Sequence, residues 1–221
     1  MNMIDEKVTK YIESLYKPLS PALSMLRSVG EAAWIPIIRR DVEGLLLSLL
    51  RLQQPMHILE IGTAIGYSAA CFATVCESSH IITIESDEAM YASAIQNLND
   101  LELTDRVDVR LGDGGEILNQ MDKLAQAGDM ECFDFVFIDA AKSHYKVFWD
   151  GAIKLSKRGS IILCDNILMD GRTASDTYDP SGKHKTNIRK MREFVEYITT
   201  AECADTCVIS VADGISISVV K

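Results

Sequence analysis

From residue 57 onward the chain alternates short apolar runs with longer amphipathic stretches, and few architectures tolerate that pattern. The runs are HILEI (57–61), IITIE (81–85), VDVRL (107–111), FDFVFID (133–139) and IILC (161–164). Each has the length and apolar content of a strand buried on both faces, and the gaps between them are long enough for helices. Strand and helix in strict alternation specify a doubly wound parallel sheet. TCVISV (206–211) and ISISVV (215–220) are separated only by Ala212-Asp213-Gly214. That turn leaves no room for a crossover helix, so these two strands pair antiparallel. The expected fold is therefore α/β and Rossmann-like, a seven-stranded, mostly parallel sheet with a C-terminal antiparallel hairpin, an ending unusual among dinucleotide dehydrogenases.

Ahead of the sheet, Val8, Ile12, Leu15 and Leu19 recur at helical spacing, punctuated by Pro18 and Pro21. A second run at 42–52 is apolar enough to pack on more than one side. Residues 1–55 thus read as a helical cover on a single domain spanning 1–221, which no repeat, low-complexity tract or linker divides. No apolar run approaches the roughly 18 residues of a membrane span, and the opening MNMIDEKVTK lacks a signal peptide's apolar core. A soluble, cytoplasmic protein with no membrane partner is expected. Thirty-two acidic residues against 22 basic give a formal charge of −10, which disfavours polyanion binding driven by overall charge but leaves room for a local basic face. Cys71, Cys76, Cys132, Cys164, Cys203 and Cys207 show no C-x-x-C pairing and are expected to be reduced core fillers.

Open α/β sheets bind ligands at the carboxyl ends of their strands. After the first strand comes Glu60-Ile61-Gly62-Thr63-Ala64-Ile65-Gly66-Tyr67-Ser68, in which Gly62 lets backbone approach a ligand, Gly66 starts a helix tightly and Ser68 presents a hydroxyl in its first turn. Its spacing is G-x-x-x-G rather than the dehydrogenase G-x-G-x-x-G. Glu85 ends the second strand, placed to accept both hydroxyls of an adenosine ribose. Gly112-Asp113-Gly114 ends the third, where an adenine edge would lie. The competing explanation is three separate helix caps.

Two further strand ends carry oxygen ligands: Asp139 after FVFI, and Asp165-Asn166 after IILC. Two carboxylates and an amide oxygen suit a hard cation such as magnesium and leave positions for water and substrate. Lys142, three residues beyond Asp139, is the natural proton acceptor beside them. His144 reads as a cap or surface residue, and His57, His80 and His184 have no evident role.

LEIGTAIGYSA, FIDAAKSHY and LCDNILMDG together resemble the magnesium-dependent O-methyltransferases of the catechol and caffeoyl-CoA type, over nearly the whole chain. Within that group, YIESLYKP, the IPII turn, EIGTAIGYSA and FIDAAK are most similar to the bacterial tRNA 5-hydroxyuridine methyltransferases. The resemblance implies a class I S-adenosylmethionine methyltransferase, with Ile38, Glu60, Gly62, Ser68, Glu85, Asp113, Gly114 and Asp139 around the donor. Ile38 enters through the resemblance alone. It also implies Asp139, Asp165 and Asn166 as metal ligands, Lys142 as base with Asp139 beside it, and a homodimer. Where the catechol enzymes keep a tryptophan, a proline and a glutamate, this chain has Ala141, Asp170 and Cys207.

Residues 171–187 (GRTASDTYDPSGKHKTN) are polar and rich in turn formers, as an acceptor lid would be. Lys183, His184, Lys185, Arg189, Lys190 and Arg192, with Arg39 and Arg40, form a basic set placed to meet tRNA phosphates. Tyr145, Phe148 and Tyr178 are candidates to stack on an unpaired base, and each reads equally as a packing residue. The expected activity is methylation of 5-hydroxyuridine in tRNA at the wobble position. A small catechol or phenolic acceptor, and a noncatalytic domain binding donor or RNA, are the alternatives.

Overall fold

The computed structural model describes residues 6–221. The chain folds as α1 (Glu6–Ser14), α2 (Pro21–Ala32), α3 (Arg40–Gln53), β1 (His57–Ile61), α4 (Tyr67–Val75), β2 (His80–Glu85), α5 (Glu88–Asp100), β3 (Val107–Leu111), α6 (Gly114–Ala127), β4 (Phe133–Ile138), α7 (Tyr145–Lys154), β5 (Ser156–Cys164), α8 (Lys185–Thr200), β6 (Ala204–Ile209) and β7 (Ile215–Val220). Local chemistry sets the helix starts. Ser20 accepts from the Leu23 amide with Pro21 at the first helical position of α2, and Asp87 accepts from the Ala89 and Met90 amides at the start of α5.

The seven strands form one sheet in the order β3-β2-β1-β4-β5-β7-β6. Strands β1 to β5 pair in parallel, β7 pairs antiparallel to both β5 and β6, and the hairpin is as the sequence predicts. The chain starts mid-sheet, runs outward to β3, then returns to place β4 on the other side of β1. The crevice at that reversal, outside the carboxyl ends, is where such sheets take ligands. Helices cover both faces. Phe135 and Phe137 of β4 pack with α2, α3 and α4, and the alternating Val136 and Ile138 pack with α7 and α8.

Several boundaries and exposures differ from the sequence reading. β5 starts at Ser156, not 161, because Ser156 pairs with Phe133 ahead of a register shift, and the Ser160 hydroxyl ties the Phe133 carbonyl to the Lys157 amide. β6 covers 204–209, since the Cys203 carbonyl accepts from Lys221 at the far end of β7. α3 buries Val42, Leu46, Leu47 and Leu50 but exposes Gly44, Ser48 and Leu52, so it packs on one broad face rather than on several. Cys71, Cys76 and Cys164 fill the core as expected. Cys203 and Cys207, at and on β6, are exposed because that strand is a sheet edge, and Cys132, just ahead of β4, is half-buried. Among the described residues no helix is long and apolar enough to cross a membrane.

Candidate active site

A cavity of about 520 Å³ opens at the reversal between β1 and β4. Its walls include Ile38, Gly62, Ser68, Glu85, Gly114, Asp139, Lys142, Asp165 and Asn166, which the topology gathers from six separate segments of chain. Glu60 and Asp113, also expected around the donor, are placed differently.

Glu60 is fully buried behind the wall. It accepts from the Ser68 hydroxyl and, at 2.6 Å, from Thr83, which in turn bonds Thr63 at 2.6 Å. Burial pushes its carboxyl up to about 7, against the pull of the two hydroxyls and with the charges of Asp139 and Glu85 adding to the rise. Because Ser68 donates inward to Glu60, its oxygen lone pairs are left to face the cavity. Asp113 is exposed, its Oδ1 capping α6 through the Glu116 amide at 3.0 Å, and the cavity wall at that strand end is Gly112 and Gly114. Glu85, on the cavity wall, uses Oε2 to accept from the Ala64 amide at 2.8 Å and Oε1 for Ser86 and Asp87, so Oε2 keeps a free lone pair. Gly62 has φ +105°, and a Cβ there would stand 2.0 Å from the Asp139 carbonyl oxygen. The close approach it permits in this structure is between its own strand end and that of β4, which locks two cavity walls together.

At the other end of the cavity, the Lys142 ammonium lies 2.6 Å from Asn166 Oδ1, 3.2 Å from Asp139 Oδ1 and 2.9 Å from the Tyr145 hydroxyl. Tyr145 is buried and donates to the Asp165 backbone carbonyl at 2.9 Å. Asp165 is only 2% exposed, and its carboxyl is raised to about 7, first by burial and then by the negative charge of Asp139. Its Oδ1 accepts from the Asn166 amide at 2.6 Å. One carboxylate, Asp139, and the carboxamide oxygen of Asn166 thus meet the lysine's cation, and the buried Asp165 carboxylate lies beside them on the cavity wall. Among the described residues no three His, Cys, Asp or Glu side chains gather at metal-binding spacing. The candidate donor set is Asp139, Asp165 and Asn166, an all-oxygen set of the kind hard divalent cations take.

The chain matches the O-methyltransferase family model over residues 17–221. The chain belongs to this O-methyltransferase family. A catechol O-methyltransferase of Niastella koreensis is 31% identical, the match covering 100% of this chain and 99% of that one. Caffeoyl-CoA O-methyltransferase 1 of Eucalyptus globulus is 30% identical over 92% of this chain and 83% of its own. The crystal structure of a Bacillus cereus O-methyltransferase in complex with SAH superposes with a TM-score of 0.83 at 28% identity, covering 97% of each chain. This O-methyltransferase is an S-adenosylmethionine-dependent enzyme with the class I fold of its structural neighbours.

Three features of the methyltransferase escaped the sequence reading. Of the three aromatics open to stacking or packing, Tyr145 and Phe148 are buried and pack while Tyr178 is exposed; the new feature is that Tyr145 holds Lys142, with Phe148 in the cavity wall. Cys207, set against a substrate-anchoring glutamate, lies on edge strand β6 along a shallow groove with Thr206 and Ile217, away from the Lys142 cavity. Asp213 was read only as a turn residue. Its carbonyl accepts from Leu168 at 2.8 Å, its carboxylate accepts from the Asp170 amide, and Gly214 accepts from Ile167 at 3.0 Å, so the hairpin turn clasps the loop after Asn166. Strand direction carries that signal: β6 runs parallel to β5, so its turn emerges at the edge that carries Asp165.

Proposed function

We propose that this enzyme methylates one of two adjacent oxygens on a small phenolic acceptor of the catechol type, from S-adenosylmethionine held in the cavity. The observation that carries the reading is the Lys142 amine lodged among Asp139, Asn166 and Tyr145 at the end of a cavity of nucleoside size. Ile38, Gly62, Ser68, Glu85, Gly114 and Asp139 would surround the donor, with Glu60 orienting Ser68 and Asp113 fixing the start of α6. The outward lone pairs of Ser68 suit an ammonium, and the free lone pair of Glu85 suits a ribose hydroxyl.

Asp139, Asp165 and Asn166 would hold a divalent cation, which when bound supplies charge to stabilise an acceptor oxyanion and a template for paired oxygens. Lys142, as the neutral amine, takes the proton from the acceptor hydroxyl, and the acceptor oxygen then attacks the sulfonium methyl in line. Tyr145 keeps the lysine at the oxygen cluster and Phe148 walls the donor side.

5-Hydroxyuridine in tRNA presents the same pair of adjacent oxygens. Four of the eight residues of the basic set are engaged within the chain: Arg39 with Glu13 and Asp41, Arg40 with Glu31, Arg189 with Glu193, and Arg192 with Asp176 and the carbonyls of Arg172 and Thr173. Small phenols need none of these cations, and relatives at 30–31% identity carry catechol and caffeoyl-CoA in their names. The deciding assay offers labelled S-adenosylmethionine with catechol, caffeate or hypomodified bulk tRNA. Incorporation into the phenols supports the reading, and incorporation confined to tRNA replaces it with the nucleotide acceptor. A homodimer and a cytoplasmic location complete the proposal. The first rests on exposed apolar residues of α1 and α2.

A further inference from the structure

Behind the donor cavity lies a buried polar knot that the chemistry at Lys142 does not use. Arg27 of α2 is 4% exposed, Glu43 of α3 1% and Tyr67, at the start of α4, 1%. Arg27 Nη2 donates to Glu43 Oε2 at 2.6 Å and to the backbone carbonyl of Ile38 at 2.9 Å, while its Nε donates to the Tyr67 hydroxyl at 3.1 Å. Tyr67 donates to the same Glu43 oxygen at 2.8 Å, Tyr16 donates to the other at 3.0 Å, and the guanidinium lies over the Tyr67 ring at 4.6 Å. An ion pair taken out of water is a poor source of stability, since an apolar pair of similar volume often does as well or better. What this pair does that an apolar pair does not is hold a carbonyl.

That carbonyl belongs to residues 36–39, which cross from α2 to α3 without regular structure. Pro36, Ile37, Ile38 and Arg39 form one wall of the cavity, and Tyr67 lines it beside Ser68. Pro36 has no amide to donate, so the segment is fixed largely from outside. The Arg27 fork reaches the Ile38 carbonyl and the Tyr67 hydroxyl at once.

We propose that Arg27, Glu43 and Tyr67 are positioning residues for donor capture, setting the distance between the 36–39 wall and the start of α4. The inference rests on the reading of this cavity as the donor site. Removing Arg27 alone leaves Glu43 buried and unpaired and endangers the fold, so the informative variant is the double Arg27→Met, Glu43→Leu, which removes both charges and keeps the volume. Calorimetry with S-adenosylhomocysteine, thermal melting and steady-state kinetics are then read together.

The expected result is a melting temperature no lower than that of the parent, an affinity for S-adenosylhomocysteine and a donor KM weakened about tenfold or more, and kcat at saturating donor within about twofold. Tyr67→Phe, which removes one hydroxyl and keeps the packing, weakens donor binding in the same direction by about threefold. A folded double variant that binds S-adenosylhomocysteine like the parent, or one whose loss falls on kcat with donor KM unchanged, overturns the proposal. Failure of the parent enzyme itself to bind S-adenosylhomocysteine sinks the donor-site reading instead, whatever the variants do.

Discussion

At the scale of single residues, the site is a balance of buried charge. Among the described residues Lys142 is the one basic side chain bonded to the Asp139 and Asn166 oxygens, and its proposed task, as the free amine, is proton removal. Lys142→Met is therefore expected to lower kcat by about 10²–10⁴-fold while the donor KM moves little, as steady-state kinetics with each substrate varied in turn would show. Glu60 and Asp165 both sit in the fold with carboxyls near 7, well above the range of a solvated carboxylate. The folded protein then holds more protons than the unfolded chain between about pH 4 and 7, so stability falls as pH rises through that window. Chelator-treated enzyme should melt at a lower temperature at pH 8 than at pH 5, and Asp165→Asn should flatten part of that slope. A melting temperature that rises over the same interval would contradict this account. Asp139, Lys142, Asp165 and Asn166 were legible because strand ends are marked by the close of an apolar run. Tyr145 was not, because nothing in KSHY distinguishes a tyrosine that holds the lysine from one that packs.

At the scale of elements, the hairpin turn and the loop after β5 behave as one unit. Asn166, Met169 and Asp170 all have positive φ, a backbone that ordinary side chains resist, and the turn at Asp213 and Gly214 supplies the bonds that hold it. Gly214 has φ +85°, and a Cβ there would lie 2.2 Å from Leu168 Cγ. Gly214→Ala should destabilise the protein by at least about 2 kcal/mol in urea denaturation, through overpacking added to backbone strain, and should reduce turnover by shifting Asn166. Unchanged stability would mean that the clasp is looser than its geometry. The hairpin was plain in the sequence, since two strands three residues apart have no other way to pair. Insertion of β7 between β5 and β6 was not, because the alternation of apolar residues says which face is buried and not which neighbour is chosen.

At the scale of the whole molecule, the N-terminal cover leaves apolar surface in water. Val8, Tyr11, Ile12 and Leu15 of the first helical region, Met25 and Val29 of α2, and Trp34, which is 93% exposed, have no cover among the described residues. Val8, Ile12 and Leu15 recur at helical spacing, and among the described residues the face they form is open. Exposed apolar area of this kind marks an interaction surface. Light scattering at micromolar concentration should give twice the chain mass, and Ile12→Asp with Val29→Asp should return it to a monomer. A monomeric parent would remove the homodimer from the proposal.

The amino-acid order by itself determined the class of fold, the parallel strands and their closing antiparallel hairpin, and which strand ends carry oxygen. All of these follow from periodicity and turn chemistry within a few residues. Only the tertiary structure decided that Asp113 would serve as a helix cap, that Gly62 would yield its space to the Asp139 carbonyl, and that an arginine of α2 would span two segments lining the cavity. Each depends on a partner far away in the chain, and the distance between two such groups is set by how the layers pack, which no local pattern encodes.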